Sequence, residues 1–303
     1  MISNNEISLT LRKILFIINR KAGTDREKRL EGVIRRYLTT KAFSIEIKHL
    51  EYLGHGTDLA REAVKSGIDT VVAVGGDGSI NEIAQGLTGT DTALAIIPLG
   101  SGNGLARALK IPLKVPHALE VIANNRRKAI DVGYANEYMF LSNAGVGFDA
   151  LIADQFRHTT KRGLWGYARL VIKGFTKYKG PAYSINIDGK TMQERAFLLT
   201  VANGNQFGYE FKLAPGANVF DGQLDLCVVP PIGFWGLIPI GLYSLLGNID
   251  KTKYMQHLTG RDIVVKSEEL AYLQVDGDAV PLNGAEQVRF RVQPGSLQVI
   301  VAQ

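Results

Sequence analysis

The sequence has one cysteine, few histidines and no hydrophobic run long enough for a membrane span, and each shortage excludes a class of protein. Cys227 is the only cysteine among 303 residues, which excludes a disulfide framework and the cysteine-based zinc sites and favours a cytosolic redox setting. The five histidines include no pair at metal-ligand spacing. Ten prolines and 33 glycines are too few for a collagen-like or linker-like chain, so the glycines must serve particular backbone positions.

The hydrophobic and charged residues indicate where in the cell the protein is expected and which classes of partner it could bind. The longest apolar stretch, Pro230 to Leu246, contains Pro231 and Pro239 and is shorter than the roughly 20 residues of a membrane span. The first ten residues lack the pattern of a secretory signal, so we expect a cytoplasmic protein. A net charge of +6 favours anionic partners such as nucleotides, acidic lipid surfaces or nucleic acid without choosing among them.

The pattern of apolar residues changes near residue 127 and predicts a different fold on each side. Up to about Arg127, short β-branched runs alternate with amphipathic stretches, which predicts βαβ units and a parallel, doubly wound sheet. From Lys128 onward the apolar runs are short and separated by turns, which is typical of an antiparallel β-sandwich, and Asp188-Gly189 predicts a hairpin. We therefore predict two touching domains, an α/β domain over 1–127 and a mainly antiparallel β-sandwich domain over 128–303.

A glycine loop follows the predicted strand Thr70–Val74 and precedes a helical pattern. Its residues are Gly75, Gly76, Asp77, Gly78 and Ser79. Glycines let backbone N–H groups approach a ligand closely, and a helix N-terminus adds a partial positive charge, so phosphate is the expected ligand. The alternative is a tight strand-to-helix turn, because Ser79 and Glu82 have the spacing of a capping box.

The same arrangement recurs after the predicted strand Ala93–Pro98. There Gly100, Ser101, Gly102 and Asn103 precede a helix from about Leu105. Two such loops on neighbouring strands could surround a di- or triphosphate with N–H donors and with the side chains of Ser79, Ser101 and Asn103. The repetition favours a nucleotide site over two unrelated turns.

Three groups of carboxylates could serve phosphoryl transfer, which needs charge neutralisation and a proton acceptor. Asp77 lies inside the first glycine loop and is interpreted as a Mg²⁺ contact, or else as a turn residue that bonds to its own backbone. Asp276 and Asp278 follow the strand Tyr272–Val275 and could lie on one side of its end, although Asp-Gly is also a common hairpin turn. Asp221-Gly222, with Asp225, leaves the same choice between a turn and an oxygen-rich metal loop.

The segment Arg157 to Lys179 carries seven basic residues and no acidic one. A helix from about Leu164 would place Val171 and Phe175 on one face, with Arg169, Lys173 and Lys177 on another. Such a helix could rest on an anionic membrane leaflet, or it could pack on the sandwich with its charges in water.

Several motifs occur in a fixed order. They are Ile18-Asn19-Arg20-Lys21-Ala22-Gly23, Gly75-Gly76-Asp77-Gly78-Ser79-Ile80-Asn81-Glu82, Pro98-Leu99-Gly100-Ser101-Gly102-Asn103, Asn143-Ala144-Gly145-Val146-Gly147-Phe148-Asp149, and Ala214-Pro215-Gly216-Ala217 with Asp221-Gly222. Together they resemble the diacylglycerol kinase catalytic family of bacterial lipid kinases and the related sphingosine and ceramide kinases, over nearly the whole chain. Arg20 stands where proline is usual in the first motif.

The resemblance implies a phosphofructokinase/NAD-kinase-like nucleotide domain, a β-sandwich domain, and transfer of a phosphoryl group from MgATP to a lipid hydroxyl between them. It also implies residue roles. ATP would be held by Gly75, Gly76, Asp77, Gly78, Ser79, Ile80, Asn81 and Ser101, with Asn19 lining the same site. Asp278 would accept the proton in place of the family's glutamate, with Asp276 near magnesium. A structural Mg²⁺ would lie at Asp221 and the carbonyls of Asn218 and Gln223.

Two departures and two rival functions remain. Asp278 is one methylene shorter than the usual glutamate, and Gly104 replaces an aspartate common in the bacterial diacylglycerol kinases, so the acceptor lipid stays open. The rivals are an NAD kinase-like enzyme and a catalytically silent lipid- or nucleotide-binding protein. We expect ATP and Mg²⁺ as cofactors, a lipid substrate, no nucleic acid, and peripheral contact with the inner membrane leaflet. A homo-oligomer is left open.

Overall fold

The secondary structure alternates strands and helices first and then consists mainly of strands. The computed structural model describes residues 11–19, 24–38, 43–157, 164–175, 178–206 and 212–302. The strands are β1 Arg12–Asn19, β2 Phe43–Leu50, β3 Thr70–Gly75, β4 Ala93–Pro98, β5 Arg127–Ala135, β6 Tyr138–Phe140, β7 Asn143–Gly147, β8 Ala182–Ile187, β9 Lys190–Arg195, β10 Leu198–Ala202, β11 Leu224–Val229, β12 Gln256–Gly260, β13 Asp262–Lys266, β14 Tyr272–Val275, β15 Asp278–Pro281 and β16 Gln287–Ile300. The helices are α1 Thr24–Leu38, α2 His55–Lys65, α3 Asp77–Leu87, α4 Gly104–Ala108, α5 Val115–Asn124, α6 Phe148–Arg157, α7 Leu164–Phe175 and α8 Leu237–Leu245.

The first sheet has the strand order β2-β1-β3-β4-β16-β13-β8-β9, with β5 and β6 attached through β16. Its first four strands are parallel, and every residue of β3 and β4 is buried. Complete burial is expected for parallel strands whose two faces are both covered by helices. The predicted α/β domain with a mostly parallel sheet is confirmed.

The second sheet has the order β12-β11-β10-β7-β14-β15, and its strand pairs are antiparallel. It packs on the antiparallel part of the first sheet. The shared core includes Val146, Leu199 and Leu226 from the second sheet and Ile263 and Phe290 from the first. The predicted antiparallel β-sandwich is therefore confirmed.

Two hairpins of this region turn over an Asp-Gly pair. Asp188 and Gly189 join β8 to β9 with φ of 48° and 90°, as the sequence predicted for this pair. Asp276 and Gly277 join β14 to β15 with φ of 47° and 95°. Positive φ at both central residues is the geometry of a type I′ turn, which fits the right-handed twist of paired strands.

Strand β16 links the two halves. The sequence predicted separate strands at Val288–Val292 and Leu297–Val301, but they form one strand with a bulge between Gln293 and Leu297. Val299 pairs in parallel with Leu94 of β4, while Phe290 pairs with Ile263 of β13. A division of the chain between residues 127 and 128 stays a prediction, because β5 begins at Arg127 and pairs with this shared strand.

The predicted basic helix is present as α7. Phe175 is buried and Val171 half-buried, while Arg169 and Lys173 are exposed, so the described side chains show the two faces that the sequence predicted. Arg162 and Lys177 lie outside the described residues. None of the helices that the structure describes is long and apolar enough to cross a membrane.

Candidate active site

The carboxyl ends of β1, β3 and β4 meet at one edge of the first sheet, as parallel strands require. Asn19 ends β1, and its Nδ2 donates to Ser79 Oγ at 2.7 Å. A Cβ on Gly75 would lie 3.0 Å from that same Oγ, so the end of β3 has room only for glycine unless Ser79 moves. The structure thus brings Asn19 and the first glycine loop together, as predicted.

The two glycine loops touch each other through their backbones. A Cβ on Gly100 would lie 2.5 Å from Gly76 Cα, and a Cβ on Gly76 would lie 3.1 Å from Gly100 Cα. The Leu99 N–H donates to the Gly75 carbonyl at 2.8 Å. Glycine is required at both positions because these two backbone segments approach each other more closely than a Cβ atom allows.

Asp77, in the first glycine loop, binds the backbone of the second glycine loop. Its Oδ2 accepts from the Asn103 N–H at 2.8 Å and its Oδ1 from the Gly104 N–H at 2.7 Å. Burial raises the pKa of Asp77, and these two N–H donors act in the opposite direction. Instead of the expected Mg²⁺ contact, or a bond to its own turn alone, the structure shows Asp77 closing the N-terminus of α4.

Asn103 also serves the loop from within. It has φ of 55°, and its Oδ1 accepts from the Gly100 N–H at 3.0 Å while its Nδ2 donates to the Gly100 carbonyl at 2.8 Å. Its side chain therefore shapes the loop rather than projecting toward a phosphate. Ser101, at the tip of the same loop, is exposed.

The N-terminus of α3 is arranged differently from that of α4. The helix begins at Asp77 with Gly76 as its N-cap, and no side chain of the cap bonds to the first turn. The alternative prediction, a capping box of Ser79 and Glu82, is therefore wrong, because Ser79 lies within the helix and not at its N-cap. Uncapped N–H groups and the helix dipole suit this first turn to binding an anion, and Gly78 in it is exposed.

Asp276 is half-buried in the turn between β14 and β15, and its carboxylate contacts α3 and the chain after β6. Its Oδ2 accepts from Asn81 Nδ2 at 2.7 Å and from the Leu141 N–H at 2.9 Å. Its Oδ1 accepts from the N–H groups of Ser142 and Asn143 at 2.8 and 3.1 Å. Burial raises the pKa of Asp276, whereas the four donors lower it. Both oxygens are therefore engaged within the protein, and a place for Asp276 beside magnesium stays a prediction.

Asn81 is accordingly a link between elements. Its Nδ2 donates to Asp276 and also to the Met139 carbonyl at 2.9 Å, and its Oδ1 accepts from Gln85 Nε2 at 2.9 Å. The sequence predicted Asn81 in the nucleotide site. In the structure it fastens α3 to the second half of the chain.

Asp278 points the other way from Asp276. It is exposed at the start of β15, and its Oδ2 lies 3.7 Å from the position that a Cβ on Gly78 would occupy. The carboxylate therefore faces the first turn of α3. The sequence expected both carboxylates on one side of the strand end. The type I′ turn instead buries one and exposes the other.

The predicted metal loop is a tight turn at Asp221, with two further carboxylates, Asp225 and Asp131, beside it. Asp221 Oδ1 accepts from the Gln223 N–H at 3.0 Å, and the Asn218 carbonyl accepts from the Asp221 N–H at 3.3 Å. Burial raises the pKa of Asp221, and the neighbouring Asp225 and Asp131 act in the same direction. No group of three or more His, Cys, Asp or Glu suited to a metal occurs among the described residues, so an ion here would depend on backbone carbonyls.

Sequence reasoning missed two contributors. Asp131 is buried, and its carboxylate accepts from the N–H groups of Gly222 and Gly295 at 2.6 and 2.8 Å. An aspartate inside the apolar strand β5 was the available signal. Ser142 is the second, because a Cβ on Gly104 would lie 2.9 Å from its Oγ. The loop after β4 thus meets the second half of the chain at a position where only glycine fits.

Comparison with known proteins agrees with this arrangement. The diacylglycerol kinase catalytic domain profile matches residues 13–135, and the YegS C-terminal NAD kinase beta sandwich-like domain profile matches residues 142–301. A Pseudomonas fluorescens protein named "Probable lipid kinase YegS-like" is 30% identical over 293 residues, covering 95% of each chain. A Bacillus subtilis protein named "Diacylglycerol kinase" is 30% identical over 230 residues, covering 74% of this chain and 76% of its own.

Solved structures show the same relationship. The crystal structure of a protein described as "a putative diacylglycerol kinase" from Bacillus anthracis superposes with a TM-score of 0.80 at 25% identity, covering 97% of this chain and 98% of the other. Both profiles, the full-length relatives and the solved fold agree. The chain belongs to the diacylglycerol kinase catalytic-domain family of lipid kinases.

Proposed function

We propose that the protein transfers the γ-phosphoryl group of MgATP to the hydroxyl of a lipid, either diacylglycerol-like or sphingoid. The observation that carries this proposal is the position of Asp278 opposite the first turn of α3, with its Oδ2 3.7 Å from where a Gly78 Cβ would lie. An anion site and an exposed carboxylate face each other there. Phosphoryl transfer needs these two features at one place.

The nucleotide end of the site is the first turn of α3. Uncapped N–H groups after Gly76 donate to phosphate oxygens, and the absence of side chains at Gly75, Gly76 and Gly78 lets the phosphates approach the backbone. Ser101, exposed on the adjacent loop, is within the same edge of the sheet. Asp77 and Asn103 contribute by fixing the shape of that second loop.

The acceptor end is Asp278. Its carboxylate takes the proton of the attacking hydroxyl, directly or through a water that it orients, while the γ-phosphoryl group moves to that oxygen and its bond to the β-phosphate oxygen breaks, leaving ADP. Asp276 is a positioning residue, because its four hydrogen bonds fix the turn from which Asp278 projects. Exposure of Asp278 keeps this side chain accessible to a substrate hydroxyl.

The residues fit a magnesium ion that arrives with the nucleotide. Mg²⁺ is usually held by one or two carboxylates together with substrate phosphates, and Asp278 supplies one exposed carboxylate next to the anion site. When bound, the ion supplies charge neutralisation between phosphate and carboxylate. We also propose a structural Mg²⁺ at Asp221 and the carbonyls of Asn218 and Gln223, since burial and then the neighbouring carboxylates Asp225 and Asp131 raise the pKa of Asp221, and a bound cation would offset this negative charge.

Because a lipid acceptor lies in a membrane, we propose a cytoplasmic protein that binds peripherally to the inner membrane leaflet. The test is incubation with γ-labelled ATP and, separately, diacylglycerol, sphingosine, ceramide and NAD, with Asp278→Asn as the control for contaminating kinases. We expect a labelled lipid from the parent protein only. Label in NAD phosphate alone would support an NAD kinase-like enzyme, and ATP binding without any labelled product would support a silent binding protein.

A further inference from the structure

The surface formed by Trp235 and α8 is apolar where it faces solvent. Trp235 is 78% exposed, Ile238 62%, Leu242 55% and Leu246 62%, and Leu245 is similarly exposed. Ile238, Leu242 and Leu245 follow the i, i+4, i+7 spacing of one helix face. The opposite face, with Ile240 and Ser244, is buried on the second sheet near Cys227 and Val229. We call the exposed set the α8 surface.

The chain around the α8 surface contains no aspartate, glutamate, lysine, arginine or histidine for 24 residues, from Leu226 to Ile249. A surface helix of a water-soluble fold normally carries charges on its outer face. Here both faces are apolar, although the segment is too short and too interrupted by proline to span a bilayer. Large exposed apolar patches mark contact with a partner or a membrane.

Basic side chains lie at both ends of the α8 surface. At its C-terminal end, Lys251 and Lys253 are exposed, and the Lys212 ammonium lies 3.9 Å from the position of a Cβ on Gly247. Asp250 is the carboxylate closest to these lysines in sequence, and it is half-buried. At the other end, Leu237 packs against the apolar cluster that includes Phe175 of α7, and Lys173 of the same helix is exposed.

We propose that the α8 surface inserts into the interfacial region of an anionic lipid bilayer, with the lysines on phosphate headgroups. Trp235 and Tyr243 suit the boundary between acyl chains and headgroups. An apolar face flanked by lysines is the pattern of an interfacial helix. A two-fold dimer through this face fits less well, because it would bring the lysines of two copies together.

This inference rests on the proposed lipid kinase activity, since a lipid acceptor has to be reached at a membrane. It assigns the main anchor to α8, whereas the sequence pointed to the basic helix α7. The two helices are adjacent, because Ile232 and Leu237 pack against the cluster of Phe148, Phe175 and Phe197. Helix α6, which contributes Phe148, also lies against β15, the strand that begins with Asp278.

The first test is sedimentation with vesicles of equimolar phosphatidylglycerol and phosphatidylcholine, compared with phosphatidylcholine alone. We expect the Trp235→Ser, Leu242→Ser double variant to bind the anionic vesicles at least about tenfold more weakly than the parent. Leu113→Ser, at a residue that is 43% exposed in the α/β half, is the matched control and should bind like the parent. Equal binding by parent and double variant overturns the proposal.

The second test uses charge. Reversing Lys251 and Lys253 to glutamate should weaken binding to the anionic vesicles by about tenfold at low salt, and the difference should shrink at high salt. Lys190→Glu, in the hairpin after β8, changes the net charge in the same direction and should leave binding close to that of the parent. An equal loss in this control would reduce the effect to net charge and overturn the assignment.

The third test locates the contact. The chain has two tryptophans, so Trp165→Phe leaves Trp235 as the single reporter. Its fluorescence should be quenched by lipids brominated on their acyl chains. Vesicle binding without quenching places the anchor elsewhere, and concentration-dependent dimerisation that is abolished by Trp235→Ser assigns the surface to a second copy. Either result overturns the proposal.

Activity separates this inference from the proposed function. Phosphorylation of a short-chain, monomeric acceptor should be equal in the parent and in the Trp235→Ser, Leu242→Ser variant. If the parent phosphorylates no lipid but its Trp235 is still quenched by brominated lipid, the proposed function fails while the membrane contact stands. If the parent phosphorylates the short acceptor and Trp235 is not quenched, the reverse holds.

Discussion

Asn81 Nδ2 donates to Asp276 Oδ2 at 2.7 Å, and this bond joins α3 of the parallel sheet to the β14–β15 hairpin of the second sheet. Because Asp278 follows Asp276 by two residues, the same bond sets how the exposed carboxylate lies over α3. One contact therefore couples the anion site to the side chain that faces it.

Replacing Asn81 with alanine should cost both stability and activity. Asp276 would keep three of its four hydrogen-bond donors in a buried position, so we expect the free energy of unfolding to fall by about 1–3 kcal/mol in denaturant titration. Turnover should fall as well, because the hairpin loses its contact with α3. Gln85→Ala is the control: its side chain bonds to Asn81 but is exposed, and its loss should change stability by less than about 0.5 kcal/mol. Equal effects in the two variants would argue against the coupling.

Asp278→Asn should lower turnover at least about 10²-fold, in keeping with the loss of a general base. ATP affinity and the unfolding free energy should stay close to those of the parent, because the side chain is exposed. Steady-state kinetics and thermal unfolding measure both. Asp278→Glu keeps the carboxylate with a longer reach and should retain most activity. Normal turnover in Asp278→Asn would move the proton acceptor to another residue.

Gly100→Ala should disturb the contact between the two glycine loops. The new Cβ would lie 2.5 Å from Gly76 Cα and 2.9 Å from Asn103 Oδ1, so the loops must separate, at a cost of about 1–3 kcal/mol. Nucleotide affinity, measured by calorimetry, should fall with it. Gly216→Ala adds a methyl group with no atom within 4 Å and serves as the control. Parental affinity in Gly100→Ala would remove the second loop from the nucleotide site.

Stability should depend on pH through Asp149. Burial raises its pKa from 3.8 to about 7, while bonds from Thr200 Oγ1 and the Ala150 N–H oppose the shift. The folded state therefore holds this proton more tightly than the unfolded state, and the stability of the parent decreases as pH rises from about 4 to 7.

Asp149→Asn keeps an acceptor for Ala150 and a donor for Thr200 but cannot ionise. Its unfolding free energy relative to the parent should increase between pH 4 and 8, by up to roughly 4 kcal/mol. Denaturant titrations across this range measure the difference. Asp91→Asn, an exposed site with the same change of charge, should show no such trend. A parallel pair of curves for Asp149→Asn and parent would contradict the assignment.

Magnesium should stabilise the folded protein through the Asp221 loop even without nucleotide. We expect MgCl₂ to raise the Tm of the parent and of Asp278→Asn, but not that of Asp221→Asn, because only the last variant loses the proposed ligand. An equal rise of Tm in all three proteins would place the ion elsewhere.

The elements of the α/β half could be predicted because local signals decide them. The runs Ala93–Pro98 and Val71–Val74 are wholly apolar and are followed by glycine loops, and the structure places β4 at the predicted residues and ends β3 one residue after the predicted Thr70–Val74. The hairpin at Asp188-Gly189 was equally local. Strand β5 was missed because its first residues, Arg127 and Lys128, are charged, and its pairing with β16 is remote in sequence.

The sequence predicted only part of the site's geometry. Asn19 bonds to Ser79 and Asp278 faces Gly78, so the two ends that the motifs marked lie close together, while the roles of these residues in binding and catalysis stay predictions. Which carboxylate stays exposed, however, depends on partners far away in the chain: Asp77 binds Asn103, and Asp276 binds Asn81 and the backbone after β6. The sequence shows where an aspartate is, but not which hydrogen-bond donors its carboxylate contacts in the folded chain.

Strand β16 has a consequence for how the protein is made. The neighbour of β4 in the first sheet comes from the last residues of the chain, with Val299 beside Leu94. While only the first half of the chain has been synthesised, the first sheet has an open hydrogen-bonding edge at β4, so the α/β half is completed only after β16 has been made. Expressed alone, residues 1–135 should associate through that edge or require a chaperone.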